Sequence, residues 1–444
     1  MNKYSVKIIK FINENLNNVI NISNISANKF FDNITKLITE TYNQNYNYQP
    51  IILSIPKIHE SNQYPLIYVL LCKLYSKGIL NEFHNLCDFN KFINWYRENQ
   101  SYIENKLHEN IKLLDEESNK DIYQLYHFIY ENNGNRSNLH NLIYNNSFVS
   151  LDIQQHAEST VMTNYIFNTS EFNLSIYLPI ANKYIDINKI IHIIKFMNQI
   201  GKRNDSICIP NVYIFAGLQR KQFPENSYIL CHDNVNSGSS VRCEYVKIWR
   251  SEEVYKVLIH ELIHFHKLDF NYFSKNYDKL SNYIINTYNI KGTDSPNESY
   301  TETLALIIHS LFISYYYKYK IKDILKYEII FTLFQISKIL KFFNITNTKE
   351  ISHKPIYQST SVFSYFIVKG SLIISLESFL NYINYDINNL SINDKVESFS
   401  NLIKDCMNEN YFQQIDKMID ATNKIKLADN SFMMRTLRMT CFQL

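Results

Sequence analysis

The stretch that most constrains this chain is His260-Glu261-Leu262-Ile263-His264, set between Val254-Tyr255-Lys256-Val257-Leu258-Ile259 and Phe265-His266-Lys267-Leu268. Apolar Val254, Val257, Leu258, Leu262 and Phe265 recur at helical spacing, which predicts a helix over 251–268. Ser251 suits its N-cap, and Glu252 and Glu253 fall in the first turn, where negative charge complements the helix dipole. Side chains four apart share a face, so both imidazoles can reach one metal ion. The Glu261 carboxylate then lies beside that ion, where it can take a proton from a water. The plainer alternative is a buried helix whose two histidines only hydrogen-bond their neighbours.

A catalytic zinc takes three protein ligands and keeps one position open. The metzincin pattern would put a histidine six residues after His264 and a glycine midway; Phe270 and Lys267 stand there and exclude it. Further on, Ser295-Pro296-Asn297-Glu298-Ser299-Tyr300-Thr301-Glu302 opens a second apolar helix that runs to about residue 318. With these two motifs the chain resembles the gluzincins, the thermolysin-like and aminopeptidase-like zinc peptidases. Their third ligand is a glutamate on a following helix, often in an Asn-Glu pair. A second acid four positions later often orients the first histidine. The resemblance covers about 241–310, and its gap between His264 and Glu298 is longer than in the most compact members.

That resemblance implies zinc held by His260, His264 and Glu298, with Glu302 as the orienting carboxylate. It implies Glu261 as general base and a peptide or protein as substrate. It further implies an oxyanion donor, commonly tyrosine or histidine, for which His353, Tyr357 and Tyr365 are candidates. Read from the residues alone, Ser295-Pro296-Asn297-Glu298 is also a capping box, which would pass the third ligand position to Glu302. Cys231 and Cys243 are further donors in principle, though no Cys-x-x-Cys pair supports them. The alternative function is a catalytically inactive zincin-fold protein, structural or virion-associated. A zinc hydrolase acting on other bonds shares the same water chemistry.

Length and composition set the frame. A chain of 444 residues can bury a sizeable core. Its formal charge of +3 is spread without a basic block, which argues against nucleic acid as a partner. The abundance of Asn, Ile, Lys and Tyr points to an A+T-rich genome, of the sort some large DNA viruses and protists carry. Seven scattered cysteines suit a reducing compartment better than a disulfide framework. The N-terminus lacks the apolar core and cleavage site of a signal peptide. The apolar segment 362–383 is interrupted by Lys369, Gly370, Ser375 and Glu377, and reads as a core helix rather than a membrane span. The expected location is the cytoplasm, or a host cytoplasm or virion for a viral protein.

The expected fold class is α+β and predominantly helical. A helical N-terminal domain would span 1–150, with 51–55 as an extended exception. A zincin-like catalytic core, a small sheet plus the motif helix, would span 151–320, and a C-terminal helical lobe 321–444. Strands are expected at 174–178, 212–216 and 241–249, with a helix bearing Ile187, Ile190, Ile191, Ile194 and Met197 between the first two and a turn at 236–239. Segment 241–249 is the candidate to pair with extended substrate, unless neighbouring strands cover both its edges. His59, His84, His108, His127 and His140 are dispersed and read as structural or exposed.

Overall fold

The structure, a computed structural model, describes residues 3–20, 28–44, 48–55, 63–78, 89–111, 148–179, 185–269, 275–388, 396–426 and 431–444, with shorter pieces of 114–146 and single residues 390 and 428. His59, His84, His127 and His140 lie outside the described residues, as does the side chain of His108.

Helices α1 (Lys3–Asn15) and α2 (Asn28–Asn43) come first, followed by strand β1 (Ile51–Ile55) and helices α3 (Gln63–Ser76), α4 (Phe89–Ile111) and α5 (Leu151–Ser159). Strands β2 (Met162–Asn168) and β3 (Asn173–Pro179), helix α6 (Ile187–Arg203) and strand β4 (Asn211–Phe215) follow. Next are a short α7 (His232–Val235), β5 (Gly238–Val241), β6 (Tyr245–Ile248) and the motif helix α8 (Val254–Phe265). Beyond it lie α9 (Lys275–Thr287), β7 (Ile290–Lys291), α10 (Asn297–Tyr317), α11 (Ile321–Phe342) and β8 (Ile356–Tyr357). A π-helical turn (Ser364–Val368) leads into α12 (Lys369–Ile374) and α13 (Leu376–Tyr382). The last helices are α14 (Val396–Cys406), α15 (Glu409–Lys424) and α16 (Phe432–Arg435). The fold is α+β and predominantly helical.

The sheet order is β1-β2-β3-β4-β6-β5, with β3, β4 and β6 parallel and the other neighbours antiparallel. Parallel neighbours need a crossover, and α6 supplies the one from β3 to β4. Asp186 caps α6, its carboxylate accepting from the Asn188 and Lys189 amides. Buried Ile190, Ile193, Ile194 and Met197 press its apolar face into the core. Helices α6 and α8 pack together, and α8 lies against β5 and β6. A separate apolar cluster, with Ile153 and Ala157 of α5 against Ile166, Tyr177, Phe215 and Trp249, builds on the strands elsewhere.

Two expectations about the strands change here. Segment 241–249 is the end of β5, a turn and β6, and β6 is not an edge: it lies between β4 and β5. The outer strand is β5, whose Gly238 and Ser239 read in sequence as a turn because small polar residues carry no strand signal. Ile8, Phe11, Ile34 and Ile38 of α1 and α2 belong to the same apolar cluster as α8, α10, α11 and the C-terminal residues. Phe11 packs against Phe334 of α11, the rings tilted with centroids 5.0 Å apart. Helices α3 and α4 do have a small core of their own, around Leu70, Leu74, Phe92 and Tyr96.

The cysteine expectation is corrected as well. Cys208 and Cys243 form a disulfide, with Cα atoms 5.1 Å apart. Cys208 precedes β4 and Cys243 sits in the β5–β6 turn; pairing Val212 with Val246 brings these two strand entrances together. Spacing along the chain gave no hint of it because the sheet makes the contact. Among the described residues, no helix is long and apolar enough to cross a membrane. Segment 362–383 is broken into the π-helical turn, α12 and α13.

Candidate metal centre

Helix α8 begins three residues later than its sequence suggests. Glu253 occupies the N-cap in a left-handed conformation, φ 61°, and makes no side-chain cap. Its carboxylate instead accepts from the Met439 and Thr440 amides, both at 2.7 Å, and lies 2.9 Å from Lys221 Nζ. Glu252 accepts from the Lys221 amide at 2.7 Å, and Ser251 donates to the Gly217 carbonyl at 2.8 Å. The acids expected to serve the helix dipole therefore anchor the helix start to other segments of the chain.

From that anchor, α8 runs wholly buried. His260 Nε2 and His264 Nε2 converge to 3.0 Å, and Glu298 Oε2 lies 3.2 Å from the first and 3.4 Å from the second. His260, His264 and Glu298 thus bring one donor atom each to a common point. Tetrahedral zinc with bonds of roughly 2.0–2.1 Å sets its ligand atoms roughly 3.3 Å apart, so the three residues fit that ion. Helix α10 starts at Asn297 with Pro296 at its N-cap, and the Ser295 hydroxyl meets Tyr277 Oη. Glu298 turns toward the imidazoles and not back to the Ser295 amide, which is satisfied at 3.0 Å by Ser361 Oγ.

The far side of each imidazole meets a carboxylate. His260 Nδ1 lies 2.9 Å from Glu302 Oε1, and His264 Nδ1 lies 2.6 Å from Asp269 Oδ2. A proton on each Nδ1, facing its carboxylate, would leave the Nε2 lone pairs at the convergence point. Glu302 also pairs with Lys256, one turn earlier on α8. Asp269 further accepts from Asn297 Nδ2 at 2.8 Å and Arg242 Nη2 at 3.1 Å. Glu302 thus supports His260 from behind, which leaves Glu298 as the acid at the convergence point.

Charge follows this arrangement. Burial opposes ionisation of Glu298, yet the facing His264 and His260 bring its carboxyl down to about 2. Burial likewise opposes charge on Glu302, but Lys256 and His260 hold it well below the usual carboxylate range. His264 is raised well above its ordinary value because Asp269 and Glu298 outweigh its burial, and His260 is raised by Glu298 and Glu302 against the same penalty. The acids around the imidazoles thus favour positive charge at the convergence point, supplied by protons or by a cation.

Glu261 points to the sheet side. Its Oε2 accepts from Ser240 Oγ of β5 at 2.7 Å. A Cβ at Gly238 would fall 2.7 Å from Glu261 Oε1 and 2.9 Å from Val257 Cγ1, so glycine lets β5 lie this close to α8. Burial raises the Glu261 carboxyl, against the pull of His260 and His264. Along β5, Ser237 O accepts from Trp249 N at 3.0 Å, so antiparallel alternation turns the backbone groups of Gly238 and Ser240 away from β6.

Of the three oxyanion candidates, Tyr365 stands by the cluster, its ring centroid 6.4 Å from that of His260. It sits in the π-helical turn, and burial followed by Glu298, Glu261 and Glu302 pushes its phenol well up, leaving it a proton donor. His353 and Tyr357 are exposed on the segment that pairs with 289–291. Cys231 caps α7 through Asn234 and Cys243 is in the disulfide; neither joins the cluster. Sequence reasoning missed Asp269, Ser240, Arg242 and Lys256. Lys256 alone carried a signal, being a lysine on the motif face four residues before His260.

No family model matches the chain, and no solved structure matches it. It is similar to an uncharacterized protein of Acanthamoeba polyphaga mimivirus, 24% identical over 209 residues, which is 44% of this chain. The chain spans about half of that relative, 51% of its length.

Proposed function

We propose that this protein is a zinc-dependent peptidase with a zincin-like core, in which His260, His264 and Glu298 hold the metal. What carries the reading is the convergence of two Nε2 atoms and one carboxylate oxygen, with each imidazole backed by a buried acid. A bound zinc supplies Lewis acidity and lowers the pKa of a water toward roughly 7. Glu261 takes that water's proton as attack on the peptide carbonyl begins, then hands it to the departing amine. Its raised affinity for a proton suits it to both steps, and Ser240 holds the carboxylate toward the sheet. Tyr365 donates to the oxygen that gains charge. The outward backbone groups of Gly238 and Ser240 receive an extended substrate as an added strand.

An intact Glu261 favours this over an inactive scaffold, since metal binding alone does not use that carboxylate. The deciding experiment pairs metal analysis with a peptide-library cleavage assay on wild type and Glu261→Gln. Wild type should carry one zinc and cut peptides. The variant should keep its zinc and lose roughly 10²–10⁴-fold in rate, the usual weight of a positioned general base. A wild-type protein offered zinc that binds none ends the proposal, and zinc binding without cleavage leaves the scaffold.

A further inference from the structure

We propose that Lys256 is a positioning residue of the metal centre, acting through Glu302 to present the His260 lone pair to the metal. The inference rests on the metal-site reading above and extends it one layer outward. Lys256 and His260 are four residues apart on α8 and therefore share one face. Glu302, reaching across from α10, bridges them: Oε2 pairs with the Lys256 ammonium and Oε1 lies 2.9 Å from His260 Nδ1. With one oxygen committed to the lysine, the carboxylate is fixed in rotation and its other oxygen faces the imidazole. That fixes the His260 tautomer with Nε2 unprotonated.

Lys256 is 0% exposed; beyond Glu302 it meets Met439 Sδ at 3.7 Å, a weak acceptor, and acts electrostatically on Glu253. A buried, paired ammonium adds little stability, since an apolar side chain of similar size often serves the fold as well. Its ordering of Glu302 supplies a reason for it at this position. Lys369 is a different case. Its Nζ lies 3.2 Å from Thr332 Oγ1 and 3.3 Å from the Met439 carbonyl, so it ties α11, α12 and the C-terminal segment together.

The test is a double-mutant cycle on zinc affinity, read by competition with a chromophoric chelator. Lys256→Met should weaken zinc binding roughly 10-fold, and Glu302→Gln by roughly 10–100-fold, the range for outer partners of metal ligands. The double variant should match Glu302→Gln alone, because the lysine has no route to the metal once its carboxylate is gone. Lys256→Arg, which keeps a buried cation against Glu302, should stay within roughly 3-fold of wild type. A Lys256→Met protein with wild-type affinity overturns the inference, as does a double variant whose loss is the product of the single losses. If Lys256→Met does not fold, Lys256→Gln completes the cycle with one donor retained. Wild type without zinc affinity would instead remove the metal-site reading itself.

Discussion

Asp269→Ala isolates the second carboxylate behind the imidazoles of the proposed metal site. Asp269 is fully buried and accepts from three directions: His264 Nδ1 at 2.6 Å, Asn297 Nδ2 at 2.8 Å and Arg242 Nη2 at 3.1 Å. Removing it frees the His264 tautomer, so part of the population turns an N–H toward the metal. It also releases Asn297, the residue before Glu298, and so loosens a second ligand. Outer partners of this kind are worth roughly 10–100-fold in metal affinity. The short, buried contact and its link to two ligands place this one near the top, at roughly 100-fold or about 2.7 kcal/mol. Chelator competition on the folded variant measures it. Asp269→Asn keeps an acceptor oxygen for Nδ1 and should recover all but about tenfold of the affinity, a residual cost of about 1.4 kcal/mol. A folded Asp269→Ala protein within roughly twofold of wild type would refute the role given to this residue.

Two further outcomes are expected. Tyr365→Phe should lower kcat by roughly 10²–10³-fold, the weight of one oxyanion donor, while leaving zinc affinity unchanged; loss of zinc binding would make the tyrosine structural instead. Burial raises the Asp294 carboxyl from 3.8 to about 6, despite bonds from Ser364 and Gln358. The folded chain therefore binds this proton more tightly than the unfolded one, and ionisation as pH climbs through that interval costs up to about 3 kcal/mol. Asp294→Asn should be more stable than wild type at pH about 8 and no more stable near pH about 4, as read by denaturant unfolding. A gain independent of pH would contradict the raised carboxyl.

What the sequence made legible was local. The helical spacing around His260 fixed the shared face of the two imidazoles, and the acids opening a following apolar helix made Glu298 and Glu302 candidates. Choosing between those acids needed the distance between two helices, which a single chain pattern does not carry. β3, β4 and α6 were readable because branched and aromatic residues advertise strands and a 3.6-residue period advertises a helix. β5 was not, since Gly238 is suited by its closeness to Glu261 and Val257 rather than by strand propensity. Asp269 escaped for a related reason. It supports His264 from the segment after the helix, where periodicity has ended.

The misread start of α8 bears on why the centre is built as it is. Glu252 and Glu253 looked like surface charges serving a helix dipole, a contribution of a few tenths to about 1 kcal/mol. Instead they are buried, with Lys221 and the backbone of Met439 and Thr440 as partners. Glu328 accepts from the Cys441 and Phe442 amides at 3.1 and 3.3 Å, and Lys369 donates to the Met439 carbonyl. Desolvating so many charges gains little net stability, because the penalty consumes most of the Coulombic attraction. Direction is what such pairs supply: each hydrogen-bonded ion fixes an angle as well as a distance. The N-terminus of α8 is therefore held to α11 and α12 through the final residues of this chain. About two and three turns on, His260 and His264 inherit that fixed axis, and Glu298 and Glu302 meet them from α10 at a set height. A scaffold that fixes orientation at the cost of stability suits a site whose donor atoms must converge to within a few tenths of an ångström of one point.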